Sequence, residues 1–344
     1  MNVSTHYAGM DIHASNTVIQ TIGPNGAEVQ QREVPTQADQ LISWARGYWL
    51  GPLQVILEQG THARWVASAL APWVDRLVIC DPAENALVHR GGIKNDRTDA
   101  HKLARLLRLG EYKPVWWQPL EARHLFKSRM KMYLHQRKAK AAAIQRLTHY
   151  LRHIGVRIPT GQSRFSFGRA GRWIDQITSG EHRSLAEQKL AFIRYHHKQA
   201  VEIFRDIREQ GNNYWEIAEF AKIPGIGPVG SHLFSALVED PHRFARRNQV
   251  YQFCQLGIVS RSSAGQPARK RLDKRGYGEL KATSYRAWLS AVNAKDDNEV
   301  KRFWKASSGR AASQRNARLN TQRKIINVMW SLWKNAQSYD PDKF

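Results

Sequence analysis

Tyr7-Ala8-Gly9-Met10-Asp11-Ile12 is a short apolar run with a carboxylate set near its end, and the fold is read outward from it. Thr17–Ile22 is a second strand-like run. Gly23-Pro24-Asn25-Gly26 is a strong turn signal, and Glu28–Val34 alternates as a third strand does. Thr36-Gln37-Ala38-Asp39 predicts a helix start in capping-box style, with the helix reaching about Trp49. Leu53–Leu57, apolar but for Gln54, has the pattern of a buried strand and ends in Glu58. A helix is expected over His62–Leu70. Another buried strand, Leu77–Cys80, ends in Asp81-Pro82. Three antiparallel strands followed by alternating helices and strands predict a mixed α/β domain.

The stretch Ile93-Lys94-Asn95-Asp96-Arg97-Thr98-Asp99-Ala100-His101-Lys102-Leu103-Ala104 has the form of a helix start, with Asn95 or Asp96 as N-cap and an Ala/Leu-rich run behind. Asp96 and Asp99 are three apart, so on a helix their carboxylates share one face, about 5–6 Å apart at Cβ. A helix N-terminus, whose dipole tolerates acids, accounts for such a pair. Taken alone the pair favours that reading over a divalent cation held between the two carboxylates, and acids at strand ends elsewhere shift the balance toward the cation.

Size and composition narrow the function classes. The 344 residues are enough for two or three domains, and 42% apolar residues with 12 Trp exclude a disordered tail protein. The formal net charge is +24, from 53 Lys+Arg against 29 Asp+Glu. Such a balance points to a polyanionic partner, with nucleic acid ahead of anionic membrane. No apolar run approaches the roughly 18–20 residues a membrane span needs. Residues Met1–Met10 lack the basic-then-apolar order of a secretory signal. Cys80 and Cys254 stand in apolar surroundings and read as buried thiols, so a cytoplasmic setting is expected.

Beyond the first domain, Leu120–Ile154 predicts long helix, in one piece or two. Ile144, Leu147, Leu151 and Ile154 share one face, and Arg123, Lys127, Arg129, Lys131, Arg137, Lys138, Lys140 and Arg146 crowd the rest. So dense a basic face, with few compensating acids, favours nucleic-acid contact over plain solvation. Thr160–Gly180 mixes glycines with Arg164, Arg169 and Arg172 and with Phe165, Phe167 and Trp173, which predicts a plain linker ahead of a segment that stacks on unpaired bases. Ser184-Leu185-Ala186-Glu187 is a capping box. Ala186, Leu190, Ile193, His197, Ala200, Phe204 and Ile207 then form a heptad seam, buried either in a dimerising arm or in an intramolecular helical hairpin. Ile223-Pro224-Gly225-Ile226-Gly227-Pro228 is a tight turn between apolar helices, similar to a helix-hairpin-helix turn. There, Gly225 and Gly227 let backbone N–H groups approach a phosphate. Ser260-Arg261-Ser262-Ser263-Ala264-Gly265, followed by Arg269-Lys270-Arg271 and Lys274-Arg275-Gly276, is a hydroxyl- and Arg-rich loop suited to phosphate chemistry. Leu280–Val292 and Arg318–Trp333 predict helices, and Ser338–Phe344 a frayed tail.

Asp11, Glu58, Asp96 and Asp99 stand where a mixed sheet can gather them at one end, with Asp81 a rival to Glu58. Carboxylates around hard cations are what phosphodiester chemistry uses, and Mg²⁺ suits carboxylate and water ligands. Gly9-Met10-Asp11-Ile12-His13, Leu57-Glu58-Gln59-Gly60-Thr61, Lys94–Ala100 with Leu103-Ala104, Ile223–Gly227 and the Ser262 loop occur in one order along nearly the whole chain. That ordered set resembles the DEDD transposases of bacterial insertion sequences, a family that includes Piv-type DNA invertases and bridge-RNA-guided recombinases.

The resemblance implies an α/β plus α architecture. An RNase H-like (RuvC-like) mixed-sheet domain would occupy residues 1–155, a basic linker and coiled-coil helix 156–215, and a mainly helical C-terminal transposase domain 216–344. It implies Mg²⁺ bound by Asp11, Glu58, Asp96 and Asp99. It implies a serine nucleophile that forms a phosphoserine link to DNA. Counting back from Lys274-Arg275-Gly276, that serine falls on Ser262, with Ser263 the immediate rival; Ser260 stands where the family commonly has Pro. Arg261, Arg269 and Arg271 are then placed to neutralise developing charge. The implied partners are donor and target DNA, a structured guide RNA, and further copies of the chain, with dimers assembling to a tetramer. A metal-dependent nuclease that uses water, and a non-catalytic RNA- or DNA-binding protein, are the competing readings.

Overall fold

The computed structural model describes residues 4–83, 96–119, 122–158, 167–261 and 269–344. The chain divides into two compact units, Met1–Glu121 and Ala122–Phe344. The long basic helix belongs with the second of these units.

The first unit is built on β1 (His6–Ile12), β2 (Asn16–Ile22), β3 (Glu28–Pro35), β4 (Leu53–Glu58) and β5 (Arg76–Cys80), in the spatial order β3-β2-β1-β4-β5. β1, β2 and β3 form an antiparallel meander, whereas β4 runs parallel to β1 and β5 parallel to β4. α1 (Ala38–Arg46) and α2 (Ala63–Leu70) cover one face, where Ala8, Met10, Val55 and Leu57 pack with Leu41, Val66 and Leu70. α3 (Asp96–Leu109) covers the other, with Leu103, Leu106 and Leu107 on Ile56, Val78 and Cys80. β4 is thus buried on both faces, which is why Val55-Ile56-Leu57 is an unbroken apolar run rather than an alternating one. At α1 no capping box forms: the N-cap is Gln37 without a side-chain cap bond, and Thr36 spends its hydroxyl on Thr17 at 2.9 Å.

The second unit opens with α4, a continuous 32-residue helix, Ala122–His153. It pairs with α6 (Gly180–Gly211), and the contacts Gln136–His196 and Tyr150–His182 run in opposite chain directions, so the pair is antiparallel. The heptad seam is spent inside this hairpin. Ala186, Leu190 and Ile193 join Leu147 and Leu151, while Ala200 and Ile207 join Phe126, Met130 and Tyr133. The linker expected over 160–180 is partly ordered helix, α5 (Phe167–Ile174), because Trp173, Ile174 and Ile177 are apolar anchors buried in the first of those clusters. Ser184 lies within α6; Ser179 is the N-cap, its hydroxyl accepting from the His182 amide.

The remaining core comprises α7 (Trp215–Lys222), α8 (Pro228–Val238), α9 (Arg247–Phe253), the hairpin β6 (Ile258–Arg261) with β7 (Arg269–Leu272), α10 (Gly278–Val292), α11 (Glu299–Arg310) and α12 (Gln314–Lys334). A buried polar network ties α4 to it. The Arg123 guanidinium donates to Glu216, which is 1% exposed, at 2.7 Å and to Ser235 at 2.9 Å, and it stacks on Tyr214 at 3.9 Å. The tail expected to fray is latched instead. The Tyr339 amide donates to Glu219 at 2.7 Å, its hydroxyl bonds Glu299, and the Phe344 ring packs edge-on against Phe303. No helix among the described residues is long and apolar enough to cross a membrane.

Candidate metal centre and nucleic-acid surface

Met10 of β1 lies opposite Leu57 of β4. Asp11 and Glu58 follow one residue later, so two acids close adjacent parallel strands at the same level. Strand side chains alternate between faces. Met10 and Leu57 face α1 and α2, so Asp11 and Glu58 fall on the side covered by α3, the side of Ile56. α3 is pressed tightly there. A Cβ on Gly9 would lie 2.1 Å from the Ala100 carbonyl oxygen and 2.5 Å from the Ala104 amide nitrogen. The absence of a side chain at position 9 lets the first turns of α3, which carry Asp96 and Asp99, settle against the end of β1.

The result is a convergence of groups from distant stretches of chain. One ligand atom each from Asp11, His13 and Asp96 lies within 4.8 Å of the others. His13 Nε2 is 3.2 Å from an Asp11 oxygen and 3.4 Å from an Asp96 oxygen. The His13 amide donates to the Asn16 carbonyl at 3.0 Å, closing the β1–β2 turn and fixing the backbone that carries the imidazole. Burial pushes the Asp11 carboxyl above its ordinary range; His13 opposes the rise, and the charges of Asp96 and Asp99 add to it. Asp99 therefore belongs to the same electrostatic site, although its carboxylate is held by Lys102 at 3.0 Å. Neither Asp99 nor Glu58 is in the three-residue group. Asp81, the rival to Glu58, turns its carboxylate onto the Ala83 amide at 3.0 Å as a local turn cap. His13 was not singled out in the sequence as a site residue. Its position two residues beyond Asp11, just past the strand end, is the signal that could have found it.

A carboxylate held above its usual range by burial and by like charges is what a divalent cation relieves. The donor set of carboxylate oxygens with an imidazole nitrogen fits such an ion.

In the second unit the basic residues divide. Arg129, Lys131, Arg137 and Lys138 stand exposed on α4. Lys127 does not: its ammonium is bound to Glu239 in the interior, only 12% of the side chain is exposed, and it contributes packing rather than a phosphate contact. Gly225 and Gly227 also divide. Gly225 has φ +85°, and a Cβ there would meet the Ala287 carbonyl oxygen at 2.1 Å, so this glycine serves close packing of the turn against α10. Gly227 is exposed with open space around it and is the N-cap of α8, with Pro228 following. The hairpin β6–β7 places Arg261 opposite Arg269 and Ser260 opposite Lys270, with Arg271 exposed beside them. Arg169 falls in α5. Ser262, Ser263 and Arg164 lie outside the described residues.

Sequence reading missed the cleft of about 940 Å³ between α4 and α6. It brings Arg137 and Lys140 of one helix to Arg205 and Arg208 of the other, over a stacked Tyr133–Phe204 pair 4.9 Å apart. His197 in its wall is held below the ordinary imidazole range by burial and by Lys140.

Two family models match the chain. Residues 8–155 match a DEDD model described as a transposase, and residues 218–305 match the model described as "Transposase IS116/IS110/IS902 family". No curated relative matches it.

Proposed function

We infer that this chain, which belongs to the DEDD transposase family of insertion sequences, cuts and rejoins DNA through a phosphoserine intermediate. The observation that carries this reading is the meeting of Asp11 with Asp96 at the end of β1, on the α3 side of a sheet ordered β3-β2-β1-β4-β5. That strand order, with an antiparallel meander joined to two parallel strands, supports an RNase H-like first unit.

Asp11, Glu58, Asp96 and Asp99 are the residues that would hold Mg²⁺. The ion would supply charge neutralisation at the phosphate and activation of a weak hydroxyl. The chain's own groups do the rest. Ser262, or Ser263 beside it, supplies the hydroxyl oxygen that bonds to phosphorus. Its proton is released, and the phosphorus–oxygen bond to the departing sugar hydroxyl breaks. The phosphodiester energy is kept in the serine link, and a new sugar hydroxyl reverses the step to reseal the strand. Arg261, Arg269 and Arg271, which flank the loop in the sequence, would supply charge that stabilises the crowded phosphate oxygens. The exposed face of α4 and the basic α4–α6 cleft hold nucleic-acid backbone, with Tyr133 and Phe204 adding an aromatic floor. Within that reading a structured guide RNA selects the DNA, dimers join to a tetramer across two duplexes, and the protein works on nucleoid DNA in the cytoplasm.

The test is trapping of covalent protein–DNA adduct on a nicked donor substrate. The wild-type chain forms the adduct with Mg²⁺, and Ser262→Ala or Ser263→Ala abolishes it. Normal adduct in both variants removes the serine mechanism. Cleavage without any adduct favours water as nucleophile.

A further inference from the structure

We propose that His13 is itself a ligand of the divalent cation through Nε2, so that the centre is a mixed carboxylate–imidazole site rather than an all-oxygen one. The inference rests on the reading of the Asp11–Asp96 group as a cation site. It concerns a residue which that reading leaves unused.

Three observations carry it. First, the spacing is that of a coordination shell. With metal–ligand bonds of about 2.1 Å, neighbouring ligand atoms around an octahedral ion lie about 3 Å apart. His13 Nε2 stands 3.2 Å from Asp11 and 3.4 Å from Asp96, close to that edge length, and all three atoms fit within 4.8 Å. Secondly, the backbone that carries the imidazole is fixed. The His13 amide is bonded to the Asn16 carbonyl at 3.0 Å in the turn that follows β1, so the ring is carried by the sheet hairpin. Thirdly, His13 already stands with Asp11 and Asp96 in a close three-residue group, whereas Asp99 and Glu58 must shift toward the ion to join it. Asp99 is engaged with Lys102 at 3.0 Å, and Glu58 lies on the neighbouring strand outside the three-atom group.

The chemical consequence is selectivity. Mg²⁺ prefers oxygen ligands, and an imidazole donor favours Mn²⁺ and the later divalent ions over it. The chain should accordingly bind Mn²⁺ more tightly than Mg²⁺, and the preference should reside in His13.

Pulsed electron paramagnetic resonance on the full-length chain titrated with Mn²⁺ tests this. Wild type is expected to show ¹⁴N modulation from one directly bound imidazole. In His13→Ala the modulation disappears and Mn²⁺ affinity falls by at least about tenfold, the loss expected when even an outer partner of a metal site is removed. Mg²⁺ affinity falls less. His13→Gln keeps bulk while removing the ring nitrogen, and it carries the test if the alanine variant melts early. Stoichiometric Mn²⁺ that Asp11→Asn abolishes, but without ¹⁴N modulation in wild type, overturns the role of His13 and leaves the carboxylate site standing. No stoichiometric Mn²⁺ binding by wild type overturns both.

Discussion

Asp11→Asn is expected to lower DNA strand cleavage on the order of 10³-fold, equivalent to about 4 kcal/mol of transition-state stabilisation, while the metal-free protein melts no earlier than wild type. The two halves of this result have one cause. Asp11 is 25% exposed, faces Asp96 and Asp99, and its folded-state pKa is raised, chiefly by burial and against the pull of His13. A raised carboxyl pKa means that the folded state binds protons more readily than the unfolded one. The sign follows: stability falls as pH rises from the unfolded value of 3.8 through the folded one. The neutral isostere removes that loss together with the charge that binds the ion. Activity and stability thus move in opposite directions, as expected of a residue kept for function. Melting curves with and without Mg²⁺, beside a cleavage assay, check it. An Asn variant that cleaves normally, or one that melts well below wild type without metal, contradicts it.

Gly9→Ala should disable the same centre without touching a ligand. The new methyl carbon would stand 2.1 Å from the Ala100 carbonyl oxygen, 2.5 Å from the Ala104 nitrogen and 2.8 Å from the Leu103 Cβ. Two of those three are backbone atoms, so no rotamer change gives way, and α3 must lift from the sheet. Overpacking of this kind costs about 1–3 kcal/mol of stability. A displacement of about 1 Å at a reacting centre costs about 10²-fold in rate. Asp96 opens the helix that moves, whereas Asp11 and His13 stay with the sheet. The expected pattern is a lowered melting temperature, weakened Mn²⁺ binding and about a hundredfold slower cleavage. A Gly9→Ala chain with wild-type melting and metal affinity would falsify the packing of α3 on β1.

The sheet was legible because its strands carry distinct signatures. Val55-Ile56-Leu57 is an unbroken apolar run, as the centre of a strand covered on both faces is, and the Gly23–Gly26 turn joins β2 to β3. The acids were legible from their positions at strand and helix ends. What escaped the sequence depends on partners far along the chain. The heptad seam of α6 shows that a face is buried but not by what, and the answer is α4 of the same chain. Trp173, Ile174 and Ile177 are concealed in a Gly- and Arg-rich stretch whose average composition is that of a linker. Lys127 and Gly225 have the right chemistry for phosphate, yet Glu239 and the Ala287 carbonyl, both more than sixty residues away, claim them for packing. Tyr339 looks like tail until Glu219 and Glu299 are seen to hold it.

The central claim is that Asp11, Glu58, Asp96 and Asp99 surround a single divalent-cation centre. Iron-directed cleavage of the chain measures this most directly: Fe²⁺ replaces the native ion, ascorbate and peroxide generate radicals at the metal, and the cut sites are sequenced. Cuts confined to residues around Asp11–His13, Glu58 and Asp96–Asp99, suppressed by excess Mg²⁺ and absent in Asp11→Asn, are the predicted result. Cuts elsewhere, or at only one of these three stretches, would contradict it.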